Sequence, residues 1–86
     1  MPMHPKLLMS IESEIQQFLQ DRFPDRRTEF NPNTALITTG LIDSFDILEL
    51  LEFVEEKFRI SLKSDELVQE NFDSINALAN LVAKKI

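Results

Sequence analysis

The stretch Asp43-Ser44-Phe45-Asp46-Ile47-Leu48-Glu49-Leu50-Leu51-Glu52-Phe53-Val54-Glu55-Glu56-Lys57-Phe58 decides the fold class of this chain. Ile47, Leu50, Leu51, Val54 and Phe58 recur at three- and four-residue spacing, so a helix from about Ser44 to Arg59 turns one continuous apolar stripe toward a core. Phe45, Leu48 and Phe53 lie off the middle of that stripe, giving the helix more apolar residues than one face needs. Six carboxylates (Asp43, Asp46, Glu49, Glu52, Glu55 and Glu56) share the segment with one cation, Lys57. The helix opens at Gly40-Leu41-Ile42-Asp43-Ser44, where a loop becomes a helix N-terminus. Free backbone N–H groups and the positive end of the helix dipole favour an anionic group at such a point. A hydroxyl there, that of Ser44, could carry a phosphodiester, and the acidic face behind it could receive a basic protein.

Working outward, Leu8, Ile11, Ile15, Phe18, Leu19 and Phe23 trace a first amphipathic helix from Leu7 to about Phe23, and Pro24 ends it. Asp25 to Ile42 reads as a long irregular loop containing Asn31-Pro32-Asn33 and Thr38-Thr39-Gly40, with Leu36, Leu41 and Ile42 as its pegs in the core. A loop of that length in a small domain is functional or mobile, and this one is expected to move together with the short third helix. Ile60-Ser61-Leu62 is a connector, because no partner strand exists for it, and Ser64-Asp65-Glu66-Leu67-Val68 suggests a short helix. Asp73 is the expected N-cap of a last helix whose Ile75, Leu78, Leu81 and Val82 face inward and whose Lys84 and Lys85 sit at the favourable C-terminal end. The expectation is an all-α, small four-helix bundle, three main helices plus one short one, with a long loop between helices 1 and 2. Residues 1–86 form a single domain, with residues 1–6 a frayed N-terminus.

Composition narrows the function. A chain of 86 residues has room for one core and buries only roughly 60% of its unfolded surface, which argues against a deep internal active site. Apolar content of 43% excludes a wholly disordered chain despite the net charge of −6. Fifteen acidic against nine basic residues argue against nucleic acid, whose affinity rests on Lys and Arg meeting phosphates. There is no cysteine for a disulfide or thiolate metal site. Met1-Pro2-Met3-His4-Pro5-Lys6 lacks the apolar run of a signal peptide, and no window approaches a membrane span, so a cytoplasmic monomer away from membranes is expected.

Autonomous catalysis is hard to assemble. His4, the one histidine, lies between prolines near the terminus, far from a base-and-nucleophile arrangement with Ser44. No segment matches a calcium-binding loop, and the carboxylates line a helix without converging on a metal. No catalytic residue and no metal site is assigned. Asp-Ser pairs commonly do no more than cap helices, and Asp73-Ser74-Ile75 is such a pair. Ser44 differs in its long preceding loop, Gly40, the adjacent Phe45 and the acidic face that follows.

These residues resemble the acyl carrier and peptidyl carrier family, the phosphopantetheine-bearing helical bundles of fatty acid, polyketide and nonribosomal peptide synthesis. Asp43-Ser44-Phe45-Asp46-Ile47-Leu48-Glu49-Leu50 is similar to the family's Asp-Ser-Leu-Asp, two positions, Glu-Leu. Glu55-Glu56-Lys57-Phe58-Arg59-Ile60 resembles its Glu-Glu-x-Phe-x-Ile, and Phe72-Asp73-Ser74-Ile75 also fits, so the likeness runs over essentially the whole chain. It implies that Ser44 receives 4′-phosphopantetheine from coenzyme A through a separate, magnesium-using phosphopantetheinyl transferase. It implies that Asp43 helps present the serine, that Phe45 replaces an exposed leucine which enters partner pockets, and that Asp46, Leu48, Glu49, Glu52 and Glu56 complete a docking face.

Two departures shape the expected role. Leu41-Ile42 precedes Asp-Ser where fatty-acid carriers have a small pair, and Phe45 stands in place of leucine. Gly-Leu-Ile-Asp-Ser looks more like the stand-alone carriers of secondary metabolism, aminoacyl and D-alanyl carriers included. The resemblance implies a discrete carrier for acyl or aminoacyl thioesters, of polyketide or nonribosomal peptide type rather than housekeeping fatty-acid type. Its partners would be the transferase, an adenylating or acyl-loading enzyme, and downstream synthase or tailoring enzymes with basic docking surfaces. The alternatives are an aminoacyl (peptidyl or D-alanyl) carrier loaded by an adenylating enzyme and, from another class, an unmodified acidic helical interaction module.

Overall fold

The computed structural model describes residues 5–86, with side chains from residue 9 onward. His4 and most of the expected frayed segment lie outside the described residues, as does the side chain of Leu8. Three α-helices carry the fold: α1 (Pro5–Arg22), α2 (Ser44–Phe58) and α3 (Ile75–Lys85), with 3-10 turns at Pro24–Glu29, Ser64–Glu66 and Gln69–Asn71. There is no strand among the described residues, so the all-α helical bundle read from the periodicity holds.

The helices end where local chemistry stops them. Phe23 N–H still reaches Leu19 O at 2.8 Å, but Pro24 disfavours helical backbone at the residue before it, and Phe23 leaves at φ −128°, ψ 69°. α2 closes on Arg59 in the left-handed region (φ 54°), whose N–H returns to Glu55 O. The short helix expected at Ser64–Val68 is a single 3-10 turn, Ser64–Glu66, and a second turn follows at Gln69–Asn71. Glu66, at the end of the first, folds back to accept the Lys63 N–H at 2.8 Å, and Val68 between the turns is extended.

One core joins all three helices. Ile11, Ile15 and Leu19 of α1 meet Ile47, Leu50, Leu51 and Val54 of α2 and Ile75, Leu78, Ala79, Leu81, Val82 and Ala83 of α3. Phe53, off the α2 stripe, is half-buried and stacks on Phe18 of α1 with ring centroids 4.4 Å apart. The connection between α1 and α2 is pinned by Leu36 and Ile42, as expected, and by Phe30, which the periodicity does not reveal. Leu41 is only half-buried. Phe30 is 1% exposed and packs on Phe23 with centroids 5.9 Å apart, while Gln16 of α1 donates to its carbonyl. Gly40 takes φ +75°, a conformation that strains any side chain, and the turn lets Ile42 N–H reach back to Leu36 O at 3.1 Å.

Asp73 does not cap α3. Ser74 does, its hydroxyl accepting the Ala77 N–H at 3.0 Å. Asp73 turns away from the helix, and its carboxylate accepts the N–H of Ile37 at 2.7 Å and the hydroxyl of Thr38 at 2.6 Å. Of two adjacent residues with good cap propensity, the one nearer the helix takes the cap and the other holds the loop.

Because Phe30 fills the space beneath the connection, Phe30→Ala is expected to cost about 3–5 kcal/mol, the usual range for a truncated core aromatic. Urea unfolding followed by circular dichroism would read it as a lower midpoint at unchanged slope.

Candidate functional site

The site is the start of α2. Asp43 is extended (φ −102°, ψ −176°), and its carboxylate accepts the Asp46 N–H at 2.9 Å. The Asp46 carboxylate returns to the Asp43 N–H at 3.1 Å, completing a reciprocal capping box. With Asp43 and Asp46 doing the capping, Ser44, the first helical residue, is exposed with no capping duty. Its hydroxyl stands at the positive end of a fifteen-residue helix.

Ser44 lies at the mouth of a groove of about 440 Å³ between α2 and the segment preceding α3. Ile47, Leu48 and Leu51 form the α2 side, and Ile37, Leu67, Gln69 and Phe72 the other. Leu48, Leu51 and Leu67 continue into a second recess of about 410 Å³ that reaches Glu52, Glu55 and Leu62. The structure thus places an almost wholly apolar trough beside an exposed hydroxyl.

The other residues singled out by sequence fall into two groups. Phe45 is 77% exposed and Leu48 61%, so both stand outside the core next to Ser44, and Leu67 and Val68 are exposed across the groove. Asp43, Asp46 and Glu49 are engaged within the molecule, whereas Glu52 and Glu56 face solvent farther along α2. Arg22, the last residue of α1, donates from Nε to Glu49 Oε2 at 2.8 Å and from Nη2 to Glu49 Oε1 at 3.3 Å, and Nη2 lies 3.9 Å from Asp46 Oδ1. Sequence reading missed Arg22, because its partners Glu49 and Asp46 are 27 and 24 residues away. Glu55 is also committed, accepting the Leu62 N–H at 2.9 Å. Among the described residues no cluster could hold a metal ion, and no helix is long and apolar enough to cross a membrane.

These contacts set the titration of the site. The Asp46 N–H holds the Asp43 carboxyl below its ordinary value, and the Arg22 hydrogen bond does the same for Glu49. Partial burial works to raise Asp73, but the hydrogen bonds from Thr38 and Ile37 outweigh it and leave that carboxyl lowered too. Glu66 is lowered chiefly by its hydrogen bond from Lys85.

No protein-family model matches the chain. Three curated relatives do, all named D-alanyl carrier protein. The one from Bacillus velezensis is 26% identical over 72 residues, covering 84% of this chain and 92% of the relative. Those from Bacillus pumilus and Bacillus subtilis are each 26% identical over 76 residues, covering 88% of this chain and 97% of the relative. Together with the helical bundle, these relatives support the carrier-protein family for this chain, in agreement with the resemblance carried by Asp43 to Leu50.

Lowered carboxyls contribute stability that is complete above their unfolded values, near pH 4, and is lost as pH falls through the lower folded values. Thermal melts should therefore be flat from neutral pH to about pH 5 and fall steeply below pH 4. Asp73→Asn, which weakens the hold on Thr38 and removes the charge, should lower the melting temperature at pH 7 and make that acid limb shallower.

Proposed function

We propose that this chain is a carrier protein whose Ser44 bears 4′-phosphopantetheine and whose cargo is an aminoacyl group of the D-alanyl kind, held as a thioester. The observation that carries the reading is the similarity to three D-alanyl carrier proteins over 84–88% of the chain. Those names favour the aminoacyl alternative over the polyketide or nonribosomal peptide assignment expected from the sequence.

The residues around Ser44 fit such a group. The hydroxyl is exposed at the head of α2, where the helix dipole favours a phosphodiester, and the adjacent groove offers an arm apolar cover without a buried charge. In the modification, Ser44 Oγ would form the new bond to phosphorus as the diphosphate link of coenzyme A breaks and adenosine 3′,5′-bisphosphate leaves, with the transferase taking the hydroxyl proton and supplying magnesium. Asp43 and Asp46 prepare for this by fixing the first turn, so that the hydroxyl is presented from a rigid helix end. When bound, the group supplies a thiol that holds the cargo as a thioester. The chain's own contribution is tethering, which gives each partner enzyme the cargo at high effective concentration.

Phe45 and Leu48 supply apolar contact beside the serine, and Asp43, Asp46, Glu49, Glu52 and Glu56 supply negative charge toward partners with basic surfaces. An adenylating enzyme would load the arm, and it and the transferase are the two partners the reading requires.

Incubation with coenzyme A, magnesium and a broad-specificity transferase should add one phosphopantetheine to the intact mass of the wild type and none to Ser44→Ala. Modification absent from a folded wild type would favour the unmodified interaction module. ATP, an adenylating D-alanine ligase and a panel of D-alanine, L-alanine and fatty acids should then load D-alanine in preference. Preferred loading of a fatty acid would restore the acyl assignment.

Phe45→Ala should leave stability within about 0.5 kcal/mol of wild type, as expected for an exposed position, while slowing loading. Unchanged loading kinetics would remove Phe45 from the docking face.

A further inference from the structure

We infer that Asp73 is a positioning residue for the arm on Ser44: it braces the groove wall opposite α2 and so sets the space in which arm and cargo rest. This deepens the carrier reading and rests on it. The α2 wall is held by the core through Ile47 and Leu51, whereas the facing wall is less deeply buried: Ile37 and Phe72 pack at the core's edge, and Leu67 and Gln69 are exposed. Ile37 belongs to the loop, Gln69 to a single 3-10 turn and Phe72 to the residue after it.

Asp73 ties these pieces together. Its carboxylate accepts from the N–H of Ile37 at 2.7 Å, the N–H of Thr38 at 3.2 Å and the hydroxyl of Thr38 at 2.6 Å. Its backbone carbonyl accepts the Leu36 N–H at 2.6 Å. Gln69 Nε2 donates to the same Thr38 hydroxyl at 3.3 Å, so one cluster links the loop, the turn and the residue following Phe72. None of this serves α3, which Ser74 caps by itself. A carboxylate released from capping and spent on a contact 36 residues away in sequence acts on the groove. The head of α2 is held separately, by Asp43 and Asp46, so presentation of Ser44 and shape of the groove are under different control.

The test uses coenzyme A carrying a small solvatochromic dye on its thiol, transferred to Ser44 of the full chain. Wild type, Asp73→Ala and Thr38→Val are compared for labelling rate, far-UV circular dichroism and dye emission. Thr38→Val keeps the carboxylate and the backbone donors but removes the hydroxyl that joins Asp73 to Gln69. Wild-type emission should be blue-shifted from that of the free dye conjugate. Both variants should lose that shift while the labelling rate stays at the wild-type level, an outcome that a merely stabilising role would not produce. Should Asp73→Ala not fold, Thr38→Val decides alone. A folded variant that keeps the wild-type emission, or a wild type with no blue shift, overturns the inference while leaving Ser44 as the attachment point. A folded wild type that takes no label overturns the carrier reading and this inference with it.

Discussion

Burial of Ile47, Leu50, Leu51 and Val54 fixes the rotation of α2, and the site depends on that rotation. Successive helical residues are turned by about 100°, so no other phase buries these four together. Once they face inward, Ser44 and Leu48 lie one above the other, four residues apart, at the edge of the buried stripe. Phe45, Glu49, Glu52 and Glu56 are carried outward. The capping box then decides where the helix begins, which makes Ser44 its first residue rather than part of the loop. Core and cap act on different properties of one hydroxyl, the first on its direction and the second on its position along the axis.

The same rotation explains why the acidic face is uneven. Glu49 comes within reach of Arg22 at the end of α1, and Asp46 is divided between its capping bond and the same guanidinium. Among the described residues, Glu52 and Glu56 have no ion-pair partner, and they lie one and two turns farther from Ser44. The Arg22 pairs are exposed and screened by solvent, so they add little to stability. Their larger effect is on the field around the serine, where Asp46 and Glu49 are partly neutralised by Arg22 while Glu52 and Glu56 are not. The surface next to the hydroxyl therefore exposes apolar Phe45 and Leu48, and the uncompensated charge of Glu52 and Glu56 lies farther down the helix.

The three long helices and the serine at the head of α2 were legible because both signals are local. An apolar stripe repeats within one helix, and Asp43-Ser44-Phe45-Asp46 sits in consecutive positions. Phe30 was not legible, since a lone aromatic between Glu29 and Asn31 has no period to betray its burial. Asp73 was misread for a related reason. Local propensity ranks Asp and Ser alike as caps, and only the loop, 36 residues earlier, determines which of the two is needed elsewhere. The segment from Ser64 to Val68 combined acids and apolar residues in a way that suggested a short helix, but it is too short to repay nucleation and settles into a 3-10 turn at Ser64–Glu66 tied by Glu66.

The two sides of the groove are therefore held by different forces. The α2 side rests on buried aliphatic packing, each such side chain worth roughly 1.5–3 kcal/mol. The opposite side packs less deeply, through Ile37 and Phe72, and leans on hydrogen bonds of Asp73, Thr38 and Gln69 and on Lys85 Nζ holding Glu66 at 2.8 Å, all with some access to water. Such water-accessible bonds contribute modestly to net stability, and several of them share single groups, so losing one weakens its neighbours. Local opening should accordingly favour the loop and turn side, with α2 as the fixed reference. On the carrier reading proposed above, an exposed serine on the fixed side and a less deeply held apolar wall opposite would let a group on Ser44 enter and leave without disturbing the helix that presents it.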